Sequence, residues 1–179
     1  MNKKKLFAVV ISLALVIGVV LPGTLAWLTA QTDGVVNTFT PAQVSCEVTE
    51  HFNGATKSNV NVINNSNIPA YIRVKLVTYR VNEDGQHIGG TATIPDFIPG
   101  TNWVKNGEYY YYTLPVAPKE KPEADLISSI TLESYTDVDG GHQAIDVMAE
   151  AIQSEPARAV GQAWGVSISQ GSVTAYSGN

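Results

Sequence analysis

Three histidines, His51, His87 and His142, are the side chains best suited to hold a metal or to carry a proton near neutral pH. They fall in or beside expected turns with no common spacing. Glu50-His51 lacks the second histidine, four residues on, that a zinc-binding His-Glu-x-x-His helix needs. Asp137-Val138-Asp139-Gly140 and Asn82-Glu83-Asp84-Gly85 put oxygen ligands on tight turns, as calcium loops do at their start. The twelfth position counted from Asp137 is Met148 rather than glutamate, so an EF-hand is excluded and the alternatives are a weak calcium site or a plain β-turn. No Gly-x-Ser-x-Gly elbow, P-loop or dinucleotide fingerprint occurs. The residues therefore give no catalytic set, no metal ligands and no cofactor site, and the expectation is a protein that is not an enzyme.

Binding chemistry has more material. Tyr109-Tyr110-Tyr111-Tyr112 is an unusual run, and on a strand it sends two rings to each face. Tyr110 and Tyr112 are expected to point inward. Tyr109 and Tyr111 would face out and, with Trp103 across a hairpin, form a flat aromatic platform for a sugar or a protein. The alternative is ordinary β-propensity and packing. Cys46 is the only cysteine, which rules out an internal disulfide. Val44, Cys46 and Val48 alternate with Ser45, Glu47 and Thr49, so the thiol is expected on the inward face of a strand.

The elements that must position these side chains begin with a leader. Lys3-Lys4-Lys5 precedes an apolar run from Leu6 to Leu21, broken by Pro22-Gly23 and followed by Thr24-Leu25-Ala26-Trp27. A basic start, an apolar stretch shorter than a ~20-residue bilayer span and a small residue beyond it predict a signal peptide over 1–26, cut between Ala26 and Trp27. The alternative is a retained N-terminal anchor. With the leader gone, the chain loses three of its 11 basic residues and none of its 16 acidic ones, and the net charge deepens from −5 to −8. Such a surface disfavours nucleic acid and anionic membrane as partners. Contact with the membrane is expected only through the leader before cleavage.

Period-two alternation dominates the rest. Tyr71 to Val81 reads as the best strand, with Ile72, Val74 and Leu76 on one face and Tyr71, Arg73 and Lys75 on the other. Asn53-Gly54 and Asn106-Gly107 mark hairpin corners. Gln143 to Gln153 fits both a strand and a helix and is read as a strand. Pro156 to Trp164 is the one helical candidate, with Gly165 to end it. These patterns predict an all-β protein: an antiparallel jelly-roll-like or Ig-like β-sandwich over 27–168 with one short helix near the C-terminus, then a flexible polar tail over 169–179.

One resemblance bears on function. The order of basic start, apolar run, Gly23-Thr24-Leu25-Ala26-Trp27-Leu28-Thr29 and Val36-Asn37-Thr38-Phe39-Thr40 resembles the SipW-type signal region of the TasA/camelysin group, exported proteins of Gram-positive bacteria. Asn64-Asn65-Ser66-Asn67-Ile68-Pro69 leading into Ala70-Tyr71-Ile72-Arg73-Val74 is similar to the group's asparagine-rich turn and inner strand. The likeness covers roughly the first 75 residues. It implies removal of the leader by a dedicated signal peptidase, a jelly-roll-like sandwich and a place among extracellular matrix or biofilm fibres or their accessory factors. Camelysin is classed as a metallopeptidase, an activity for which this chain carries no zinc motif. It is also shorter than the longer matrix protein and lacks its charged C-terminal extension.

The function expected on these grounds is that of a secreted structural or assembly protein of the bacterial surface or matrix. Its partners would be further copies of itself or other matrix and surface proteins. An assembly strand over 27–40, with Trp27, Leu28, Val35 and Phe39 as anchors, would pair with a neighbour's open sheet edge, or else fold back on its own sheet. The alternatives are a carbohydrate- or surface-ligand-binding module built on Trp103, Tyr109 and Tyr111, and a camelysin-like metallopeptidase.

Overall fold

Alternation is strictest where the chain must bury one face of a strand, and that stretch becomes the centre of the larger sheet. The computed structural model describes Lys3 and residues 43–176. Its elements are β1 (Cys46–Phe52), β2 (Thr56–Asn64), β3 (Ala70–Val81), β4 (His87–Ile88), β5 (Trp103–Asn106) and β6 (Tyr109–Tyr112). They continue with β7 (Ile127–Thr131), β8 (His142–Gln153), the helix α1 (Ala157–Trp164), β9 (Val166–Ser169) and β10 (Ser172–Tyr176). The expected leader over 1–26, its cleavage point at Ala26-Trp27 and the anchors Trp27, Leu28, Val35 and Phe39 lie outside the described residues.

The chain is all-β with antiparallel sheets and a short C-terminal helix, as expected. One sheet has the order β1-β2-β7. In the other, β3 pairs with β8 along its whole length, from Ala70↔Gln153 to Val81↔His142, and on its other side with β6 and β4. β5 completes that sheet beyond β6. The core between the sheets takes Val60 and Val62 from β2, Ile72, Val74 and Leu76 from β3, Tyr110 and Tyr112 from β6, and Ile127 and Ile130 from β7.

Turn chemistry explains the corners. Asn53 Oδ1 accepts hydrogen bonds from the amides of Ala55 and Thr56, closing the β1–β2 hairpin beside Gly54 at φ 92°. The β5–β6 hairpin turns one residue later than expected: Asn106 pairs with Tyr109, so Gly107-Glu108 is the loop. Gly107, at φ 58°, supplies the positive φ that a two-residue hairpin needs at its first central position. Asn64, fully buried, holds its Nδ2 within hydrogen-bond distance of the carbonyls of Ile68, Val116 and Ala117. Its Oδ1 accepts from the Ser66 amide. The asparagine-rich turn is thus a polar knot tying the proline-rich 115–122 connection to the end of β2.

A third layer covers the outer face of the larger sheet. Tyr71 and Tyr111 point away from the central core and are buried by Val160 of α1, Val166 of β9 and Val173 of β10. Tyr71, expected on a solvent-facing side, is 2% exposed and donates from its hydroxyl to the Gly171 carbonyl. The expectation of a polar tail from Ser169 is corrected over 172–176, because β10 pairs with β9. Val173 supplies the apolar anchor that a polar count over the segment hides. The helix runs as expected from Pro156, here its N-cap, to Gly165, which takes the left-handed conformation at φ 64°.

Candidate functional site

A sheet edge is an unfilled hydrogen-bonding row, and proteins blunt it by shortness, bulges, charge or cover. Most edges among the described residues are blunted. β5 is four residues long with Lys105 exposed, and β7 is five with Ser128, Ser129 and Thr131 exposed. β1 carries a bulge between Thr49 and His51 and two glutamates, Glu47 and Glu50. β9 is backed by α1. β8 differs, being twelve residues long and in unbroken register with β3. Its other side is bridged only at its start, where the Gln143 amide donates to Glu133 and Ser134 pairs with His142. From Ala144 to Gln153 no described strand pairs with that side.

The sandwich is also open there. The smaller sheet ends at β1, and the apolar residues along this flank are only partly covered: Cys46 and Val48 on β1, Val147, Ala149 and Ala151 on β8. A groove of about 470 Å³ lies between Val48, Glu50 and Lys57 on one side and Ile145 to Met148 on the other. Burial pushes the Cys46 thiol upward, and the Glu150 carboxylate adds to the shift.

One end of this trough is charged. Lys57 points inward although its neighbours Ser58 and Asn59 do not. Asn59 sits at φ 52°, and the inward residues Lys57 and Val60 are three apart rather than two, opposite Ile130 and Ile127. The Lys57 side chain is 8% exposed, and its Nζ donates to Glu50 Oε1 at 2.6 Å. Phe52, Tyr79, His142 and Gln143 extend the groove past this pair as a cleft of about 250 Å³. On the outer face of β8, Asp146 accepts from the Tyr79 hydroxyl at 3.0 Å and Glu150 accepts from Arg73 Nε and Nη2. Arg73 lies over the rings of Tyr109 and Trp164, 4.1 and 4.8 Å from their centroids.

The aromatic platform does not form. Trp103 turns into the central core, 5% exposed, beside Tyr112, and its Nε1 donates to the Ala124 carbonyl. Tyr111 is 4% exposed on the opposite face, edge-on to Trp164. Tyr109 is half-buried under Arg73. The pairing Trp103↔Tyr112 fixes this outcome, because a strand residue shares a face with its direct partner and not with Tyr109 or Tyr111. Tyr110 and Tyr112 do point inward, as expected.

The histidines stay apart. His87 stacks on Tyr79 with centroids 4.3 Å apart, His142 pairs with Val81, and His51 is exposed opposite Ser58. Among the described residues no three of His, Cys, Asp and Glu converge. Asp137 is engaged by Arg80 Nη1 through both carboxylate oxygens and by the Gly140 amide. Asn82 Oδ1 caps its own turn by accepting from the amides of Asp84 and Gln86. Both expected oxygen-rich turns are thereby accounted for as turns. Also among the described residues, no helix is long and apolar enough to cross a membrane.

Period-two reading identified β8 but could not identify it as an edge, since strand order is a long-range property. The inward Lys57 was likewise hidden by the kink at Asn59. No family model, curated protein or solved structure matches the chain.

Proposed function

We propose that this is an exported structural or assembly protein of a bacterial surface or extracellular matrix, whose copies join by strand exchange. Residues 27–40 of one copy would lie along β8 of the next. The observation that carries this reading is the long, regular side of β8 that no described strand occupies, flanked by half-covered apolar residues of β1 and β8. A strand added there gains main-chain hydrogen bonds and places alternate side chains over Val147, Ala149 and Ala151. Each fully buried anchor among Trp27, Leu28, Val35 and Phe39 would contribute about 1.5–3 kcal/mol. Export is supported by the order Lys3-Lys4-Lys5, apolar run, Pro22-Gly23 and Ala26-Trp27, and the resemblance to the SipW-type signal region implies a dedicated signal peptidase as a partner. The test is deletion of residues 27–33 followed by light scattering. Loss of higher-mass species is expected, and assembly of unchanged size refutes strand exchange.

A further inference from the structure

An open edge that accepts a strand must also refuse the nearest wrong one, the same edge of another copy. For β8, that refusal can be worked out from its outer face. The side chains there are Ala144, Asp146, Met148, Glu150 and Ile152, with Asp146, Met148 and Glu150 exposed. Two β8 strands related by a two-fold axis pair antiparallel, and keeping both inner faces inward leaves only a few registers. Centred on Met148, the pairing sets Asp146 opposite Glu150 of the second copy, twice. Centred on Asp146 or on Glu150, it sets identical carboxylates face to face. Centred on Val147 or Ala149, it brings Asp146 or Glu150, respectively, diagonal to its own copy. Each of these five central registers therefore holds two carboxylates opposite or diagonal to each other, where like charges repel.

The two acids are not equally neutralised. Glu150 is tied to Arg73, whereas among the described residues Asp146 has only the uncharged Tyr79 hydroxyl. Directly across the ladder from Asp146 on β3 stands Val77, and across from Met148 stands Lys75, whose amine is taken by Glu108. Among the described residues, Asp146 is thus the carboxylate on this edge with no cationic partner. By contrast, Gly34-Val35-Val36-Asn37-Thr38-Phe39-Thr40 carries no charge at all.

We infer that Asp146 and Glu150 determine the specificity of this edge: they bar β8 from pairing with β8 of a second copy and leave it to the 27–40 strand of a neighbour, whose 34–40 half is uncharged. Association then runs from one copy to the next and does not close into two-fold dimers. The inference rests on β8 being the accepting edge.

The test places a reporter at the centre of the forbidden dimer. In the full chain carrying Cys46→Ser and Met148→Cys, mild oxidation by copper phenanthroline links two copies only if β8 meets β8. Asp146→Lys creates two Lys–Glu pairs in the Met148-centred register while leaving Arg73–Glu150 intact. It is expected to raise the disulfide-linked dimer about tenfold or more over the Asp146 parent, with most of the gain lost in high salt. Asp146→Asn, which keeps the hydroxyl contact, is expected to fall between the two and guards against a folding defect in the lysine variant. Equal linking in all three, or ready linking in the parent, overturns the inference. Strand exchange is read separately: assembly that depends on residues 27–33 with no response at position 146 leaves strand exchange standing and removes the guard. A response at 146 with assembly indifferent to 27–33 does the reverse.

Discussion

Removing either partner of the Lys57–Glu50 pair breaks the same 2.6 Å contact, yet the two deletions should differ sharply in cost. Glu50→Ala leaves an ammonium group on a side chain only 8% exposed, facing Ile145 and Val147. An orphaned charge in a sealed interior costs about 3–5 kcal/mol. Here Glu50 itself is 31% exposed and the trough admits water, so the lower figure of about 2 kcal/mol is expected. Lys57→Met keeps the apolar stem and removes the charge that burial penalises. What it forfeits is a partly hydrated ion pair, worth about 1 kcal/mol or less, and Glu50 can turn to solvent. Its net effect should lie within about 1 kcal/mol of zero, and the double variant should resemble it. Urea unfolding followed by the fluorescence of buried Trp103 and of Trp164 reads the difference. With a slope of about 2 kcal/mol/M, Glu50→Ala should shift the midpoint down by about 1 M and Lys57→Met by half of that or less. If Lys57→Met costs as much as Glu50→Ala, the lysine is not desolvated and the trough is wetter than its lining implies.

Acid sensitivity should trace to two carboxylates. The Arg80 guanidinium, then the Gly140 amide, holds Asp137 below its ordinary value of 3.8, and the Lys75 ammonium holds Glu108 below 4.5. A depressed folded-state value contributes stability that is present above the unfolded value and lost as pH falls through the folded one. The melting temperature should therefore decline below about pH 4, and Asp137→Asn should flatten that decline; an unchanged slope would exclude Asp137 as a source. Gly141→Ala should cost at least about 2 kcal/mol, because φ is 81° and the added Cβ would lie 2.5 Å from the Val81 carbonyl oxygen and 2.6 Å from Ile88 Cδ1. Gly140→Ala, with φ 61° but open space around it, should cost about 1 kcal/mol, so paired thermal melts that reverse this order would refute the steric argument.

What could be read from the residues depended on the range of the interaction. The strand over Tyr71 to Val81, the glycine-marked corners and the helix ended by Gly165 follow from local periodicity and turn chemistry, and the structure places them accordingly. The inward pair Tyr110 and Tyr112 follows in the same way. The face of Trp103 was legible too: a turn at Asn106-Gly107 would set it opposite Tyr110 and the observed turn sets it opposite Tyr112, and both rings point inward, so the platform expectation broke the rule that paired residues share a face. Burial of Tyr71 could not be anticipated, since the segment that covers it lies about a hundred residues further on and reads as polar. The trough is the extreme case. No window of the chain contains it, because it exists only where β1 and β8 come together and where Asn59 turns Lys57 inward.

The ladder between β3 and β8 also sets a pace. Its partners stand roughly sixty to eighty residues apart, and no shorter-range pairing spans β3 along its length. The central strand of the larger sheet therefore stays half-made until the chain has been supplied as far as Gln153. The layer that seals Tyr71 waits longer still, for Gly171. A fold closed by such distant segments is expected to form in milliseconds to seconds, not microseconds. During that interval the alternating apolar face of β3, Ile72 to Leu76, stays open to association with other chains.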